Sequence, residues 1–484
     1  MRQRGAESNS AFFSGDRRSP WPVVAISMVG TSISGVTFIS VPGYVAATQM
    51  SYMQMVLGFF AGYFAIAFIL LPLYYSLDSF SIYGYLSDRF GPRSRGTGAA
   101  FFLLSKFLGC GVRMYLTALV LQVILFGPLG VPFLINILLT LLIVWLYTFR
   151  GGVRTLVWVD MLQTLCMIGA VILSLVFVCR AMGLDGKGMW TAITQDPMSR
   201  IWFFDDPTDK KYFWKQFLAG AFTTIAMTGL DQDMMQKNLS CRNLRSARKN
   251  VLSYGFSFVP INLLFLGLGV LLYRYGAQVG LCTPSGELMG GLKADELYPV
   301  LATGRDPVSG ARYLPFAVSV IFVVGLVSAA FSSAGSAVTA LTTSITVDLL
   351  GADRKDSDTA LTRKRHRVHA LVCLVMAGVI WAFRAIGNGS VINAVYVVAS
   401  YTYGPLLGLY AFGLLTRLKP RDGWIPWICI VSPLLCLWLS WGAPRWFGWE
   451  IGYELLLVNA LITMAGLALA SIRKKPLPSQ TPQP

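Results

Sequence analysis

Apolar runs long enough to cross the ~30 Å hydrocarbon layer of a bilayer recur from one end of this sequence to the other. About twelve can be marked, near residues 22–45, 52–76, 98–126, 131–148, 157–181, 212–235, 250–274, 315–349, 368–388, 391–416, 423–442 and 451–472. In lipid, every backbone N–H and C=O has to be satisfied within the protein, which leaves helices and closed barrels. A barrel would show ~10-residue alternating segments instead of these long runs. The chain therefore reads as an all-α polytopic membrane protein with a single membrane domain. No soluble domain of ordinary size fits between the runs.

The formal net charge of +17 raises the question of nucleic acid, and its distribution answers it. With the amino terminus in the cytoplasm and the spans alternating, the inner segments collect most of the 40 Lys and Arg residues. Arg17, Arg18, Arg89, Arg93 and Arg95 lie there. So do Lys237, Arg242, Arg245, Arg248 and Lys249 after span 6, and Arg363, Lys364, Arg365 and Arg367 after span 8. The positive-inside rule then places both termini in the cytoplasm of a plasma (inner) membrane. The expected partners are the lipid bilayer and a small solute, with no nucleic acid. The division that follows is a cytoplasmic segment at 1–21, a ten-span core at 22–416, two additional spans at 417–472 and a cytoplasmic tail at 473–484.

The stretch "GTSISGVTFISVPG", Gly30 to Gly43, lies within span 1 and holds five hydroxyls, three glycines and a proline. Span 6 has a similar character in "AGAFTTIAMTGLDQD", from Ala219 to Asp233. Two polar, glycine-interrupted spans lying five apart are expected if repeats at about 22–181 and 212–416 are inverted copies, each opening with a discontinuous helix. Close helix packing also favours small residues and is the competing explanation. A broken helix frees carbonyls at membrane depth, tolerated only in protein or along a cavity, and hard cations take oxygen ligands. Span 1 thus reads as part of a cation and solute site. In span 8, Ala329, Ser332, Ser333 and Ser336 recur at three- and four-residue spacings and share one helix face. That face is either the matching half of the cation site or a small-residue packing stripe.

Charges inside spans are costly, ~2.5–3.5 kcal/mol each at a helix centre on insertion scales. Arg113 lies near the middle of span 3, with Lys106 two turns earlier. A central guanidinium suits capture of a carboxylate, from a substrate or from a structural aspartate. Asp160, Asp231 and Asp233 read either as functional or as pairing and capping groups near the interface. The two histidines, His366 and His369, form no metal-ligand cluster, and no nucleophile motif is present, so the chain is not read as an enzyme. "RGGVR" at Arg150 reads as a tight turn between spans 4 and 5; no strand precedes it, so it is not a phosphate loop.

Several ordered stretches carry a family resemblance. "AFFSGDRRSPWPVV", "TSISGVTFISVPGY", "SIYGYLSDRFGPRSR", "YTFRGGVRTLVWVDMLQ", "GLDQDMMQKNLSCRNLRSARK" and "SAAFSSAGSAVTALTTSITVDLL" together resemble the sodium/solute symporter family of sodium–galactose, sodium–proline and sodium–sialic acid carriers. The resemblance implies a LeuT-like five-plus-five inverted repeat with two extra C-terminal helices. It implies co-transported sodium, held at a main site by carbonyls of Gly30, Ile33 and Ala329 and hydroxyls of Ser332 and Ser333. A second sodium site would use Asp160, Ser332 and Ser336, although Gly335 stands where a further hydroxyl is expected. Ser34, Thr37 and Arg113 match the substrate contacts of the sialic acid carriers. The implied function is sodium-coupled import of a small, anionic solute, sialic acid or a monocarboxylate, by alternating access. A sugar or amino-acid symporter, or a transporter-like sensor, is the alternative. Members usually carry a further span before "AFFSGDRRS"; with ten residues in that place, either the start is truncated or this branch lacks the span.

Overall fold

The computed structural model describes residues 12–13, 17–33, 35–77, 81–307, 309–351, 358–386, 391–447 and 451–472. The tail expected at 473–484 and most of the segment expected at 1–21 lie outside them, as does Ser34. The described chain is helical, with isolated bridges in place of sheets. Its principal helices are α1 (Trp21–Ser32), α2 (Gly35–Gly43), α3 (Tyr52–Ser76), α4 (Pro92–Leu121), α5 (Phe133–Ala181), α6 (Phe213–Thr224), α7 (Gln232–Leu239), α8 (Leu244–Gln278), α9 (Phe316–Ser344), α10 (Asp358–Ile386), α11 (Val391–Leu415), α12 (Ile425–Phe447) and α13 (Leu455–Ile472), with shorter helices in the connections.

Span 1 is broken as its composition suggests. Helix α1 opens with Pro22 in its first turn, where the missing N–H costs nothing. It stops at Ile33, whose backbone is extended, and α2 resumes at an angle of 59°. Span 6 breaks by a different route. A π-helical turn over Ile225–Gly229 follows α6, and Asp231 adopts extended backbone. Its carboxylate then caps α7 by accepting from the N–H groups of Asp233 (2.8 Å) and Met234 (3.4 Å). The carbonyls exposed at this second break are satisfied locally, Gly229 O by the Tyr74 hydroxyl at 2.8 Å and Leu230 O by Tyr83 at 2.9 Å.

Helix α5 is a single helical run of 49 residues. It contains both apolar stretches expected as spans 4 and 5, and helical backbone continues across "RGGVR" where a tight turn was expected. Both α1 and α9 pack along α5, so its Asp160 faces the broken span and the serine face together. Outward-facing positions such as Leu138, Leu142, Leu146, Leu162, Leu434, Trp438 and Trp441 are exposed large apolar groups, the surface a bilayer requires.

Candidate functional site

Where α1 ends, three helices meet. Gly30 is buried, and a Cβ there would collide with the Thr164 hydroxyl on α5. That hydroxyl donates to Ile26 O at 3.0 Å and to Asp160 O at 2.6 Å, so glycine is what lets α1 lie this close to α5. Ile33, Ala329, Ser332 and Ser333 are all buried beside this break or on the facing stripe of α9. The Ser332 Oγ has no hydrogen-bond partner although it lies fully inside the protein. A buried hydroxyl left unpaired is costly, ~1–3 kcal/mol, and calls for a ligand. Gly30 stands in the last turn of α1, where carbonyls run out of intrahelical donors as the helix ends.

Asp160 is fully buried in the core, deeper than its expected place near an interface. Its Oδ2 accepts from Ser336 Oγ at 3.0 Å and Ser27 Oγ at 3.4 Å, and it pairs with Lys237 Nζ at 2.5 Å. The Ser332 hydroxyl faces the same carboxylate without closing a hydrogen bond. Lys237 was expected in an inner loop. The restart of the helix at Asp231 carries it instead into the protein on α7, where it also donates to Thr31 and Ser336.

A cavity of about 120 Å³ opens beside the break, lined by Thr37, Arg113, Tyr63, Thr228, Tyr254 and Tyr396 among others. Thr37 and Arg113 are thus brought together, while Ser34 lies outside the described residues. Arg113 Nε donates to Gly109 O at 3.1 Å, and its guanidinium has no carboxylate partner among the described residues. The aspartates nearby are taken by another cation. Lys106 Nζ sits 3.1 Å from Asp231 and 2.7 Å from Asp233, and Tyr403 donates to Asp231 at 2.5 Å. Asp231 and Asp233 thus pair with Lys106, and Asp231 also caps α7, while Lys106 and Asp231 line the same cavity as Arg113.

Above the cavity lies a wider vestibule of about 530 Å³, lined by Lys210, Lys211, Lys215, Asp209 and Glu454. Tyr52 and Tyr396 line both spaces, and their hydroxyls are hydrogen-bonded at 3.2 Å between them. Neither tyrosine nor Lys237 was singled out in the sequence. A lysine six residues beyond a helix-restarting aspartate was the signal for Lys237, and it was hidden by the basic loop that follows.

Residues 12–418 match the family model described as the sodium:solute symporter family. The sodium-dependent multivitamin transporter of Oryctolagus cuniculus is 26% identical over 438 residues, which are 88% of this chain and 65% of that protein. The chain thus spans slightly under two thirds of that relative's length. The sodium/sialic acid symporter of Proteus mirabilis is 23% identical over 86% of this chain and 80% of its own. Among solved structures, a substrate-bound, outward-open Na+-coupled sialic acid symporter superposes with a TM-score of 0.78 at 19% identity, covering 98% of this chain and 94% of that one. That likeness establishes the LeuT-like fold expected from the sequence.

Proposed function

The chain belongs to the sodium:solute symporter family, and on that premise we propose that it is a multi-pass secondary carrier importing a small carboxylate together with sodium. Alternating access exposes the cavity first to the vestibule and then to the opposite side. Both termini lie in the cytoplasm by the distribution of basic residues. Sodium binds at the carbonyls of Gly30, Ile33 and Ala329 and the hydroxyls of Ser332 and Ser333. The solute binds at Ser34, Thr37 and Arg113.

The observation that carries this reading is Arg113, a guanidinium on a cavity wall with no carboxylate partner among the described residues. A planar fork in a low-dielectric cavity is built for a carboxylate supplied from outside. The unpaired Ser332 hydroxyl supports the sodium role in the same way. Lysines of the vestibule raise the local concentration of anions. The cavity is smaller than the ~300–1,000 Å³ usual for small-molecule sites. A volume of about 120 Å³ favours a small monocarboxylate over the larger sialic acid.

The test is sodium-dependent uptake into proteoliposomes, with a panel of monocarboxylates, sialic acid, galactose and proline. Saturable, sodium-driven uptake of an acid that its neutral amide fails to inhibit is expected. Uptake of the sugar or the amino acid with none of either acid would move the chain to the alternative within the family. Binding without uptake would make it a sensor.

A further inference from the structure

Lys237 has no role in the carrier outlined above, yet its side chain is 1% exposed and surrounded by α1, α5 and α9. Its ammonium donates to Asp160 Oδ2 at 2.5 Å, to Ser336 Oγ at 2.6 Å and to the Thr31 hydroxyl. Ser336 accepts from the ammonium and donates to the carboxylate at 3.0 Å, so the three groups close a ring around the charge. A carboxylate and hydroxyls are the oxygen ligands that a hard monovalent cation would take. Asp160 and Ser336 are two of the residues that the family resemblance implies for a second sodium ion.

A second observation points the same way independently. At position 335, where that shell would have another hydroxyl, a Cβ would run into the hydroxyl of Tyr147. Tyr147 is fixed there by donating to Phe331 O at 2.6 Å. Tyr147 fills the space for the missing ligand, and the ammonium occupies the Oδ2 side of Asp160, whose Oδ1 is buried without a hydrogen bond. Two unit cations on one carboxylate oxygen repel strongly at such distances, so an ammonium and a sodium ion exclude each other.

We infer that the Lys237 ammonium is a tethered, resident cation standing in for the second sodium ion, so that the carrier couples to one sodium ion only. The inference rests on the sodium-symport reading for its meaning but not for its test. Ser332 Oγ makes no hydrogen bond and so keeps its lone pairs for the main site.

The test uses sodium alone, on the full chain purified in detergent, with ²²Na⁺ counted by equilibrium dialysis at constant ionic strength in choline chloride. The wild type should bind one sodium ion and Lys237→Ala two, while Asp160→Asn/Lys237→Ala should return to one. Two ions in the wild type, or an unchanged count in folded Lys237→Ala, would overturn the inference. If Lys237→Ala folds in sodium and not in choline, sodium has replaced the ammonium and the inference stands. If it misfolds in both while the double variant folds, the carboxylate cannot take sodium and the inference falls. A wild type that binds none ends the symport reading, whereas a gain of one ion in Lys237→Ala would still uphold the role of Lys237.

Discussion

Among the described residues, Arg113 and Ser332 are each short of a partner, one a cation without a carboxylate and the other a hydroxyl without a hydrogen bond. Removing the Ser332 hydroxyl should therefore leave the fold nearly untouched and weaken sodium. A charged hydrogen bond is worth about 1.5–3 kcal/mol, so Ser332→Ala should raise the half-saturating sodium concentration roughly ten- to hundredfold. Sodium titration of uptake reads this directly, and an unchanged curve would remove Ser332 from the site. Arg113→Lys keeps the charge and loses the planar fork. Affinity for the transported acid should fall tenfold or more in Arg113→Lys, by competition uptake, with sodium affinity unchanged. Arg113 stood out in the sequence as a charge mid-span, and Thr37 was singled out by the family resemblance; both line the cavity. Lys237 could not be read so, because its chemistry depends on a helix restarting at Asp231 and folding back toward Asp160.

The elements owe their arrangement to glycine at the closest approach and to hydroxyls at the breaks. Gly30 permits α1 to lie against Thr164 of α5. Gly30→Ala should overpack this contact and lower stability by ~1–3 kcal/mol. The thermal unfolding midpoint should drop and recover in Gly30→Ala/Thr164→Ala, since the second change removes the colliding hydroxyl. Equal midpoints for Gly30→Ala and wild type would show that α1 is not held this close. The Tyr52–Tyr396 bond closes α3 against α11 over the cavity. One hydrogen bond contributes about 0.5–1.5 kcal/mol, so Tyr52→Phe should shift the open fraction about two- to tenfold. A Thr37→Cys reporter should then react faster with a membrane-impermeant thiol reagent. Both broken spans were visible in the sequence, since glycine and hydroxyl clusters mark them against a background of Leu and Val. The unbroken helix across "RGGVR" was not, because paired glycines permit a turn without requiring one.

At the scale of the whole molecule, the charges around the cavity and the first break balance. Lys106, Arg113 and Lys237 face Asp160, Asp231 and Asp233, three of each sign. On the proposed carrier reading, the empty protein would cross between its two states without moving net charge in this region. Loading one sodium ion and one carboxylate keeps the balance. The membrane potential, worth ~2.3 kcal/mol per charge per 100 mV, then has nothing to act on. The sodium gradient supplies about 1.4 kcal/mol per tenfold ratio, and so about tenfold accumulation of the acid for that ratio. Taking away the Lys237 charge alters the sum. The empty carrier becomes negative, a second sodium ion restores neutrality, and each cycle moves one positive charge inward. In valinomycin-clamped proteoliposomes at a fixed sodium ratio, wild-type accumulation should be the same at 0 and −100 mV. Under the same step, accumulation by Lys237→Ala should rise roughly fiftyfold, the equivalent of ~2.3 kcal/mol. A wild type whose accumulation climbs with the inside-negative potential would show that a charge beyond these six groups, one sodium ion and one carboxylate moves with the solute.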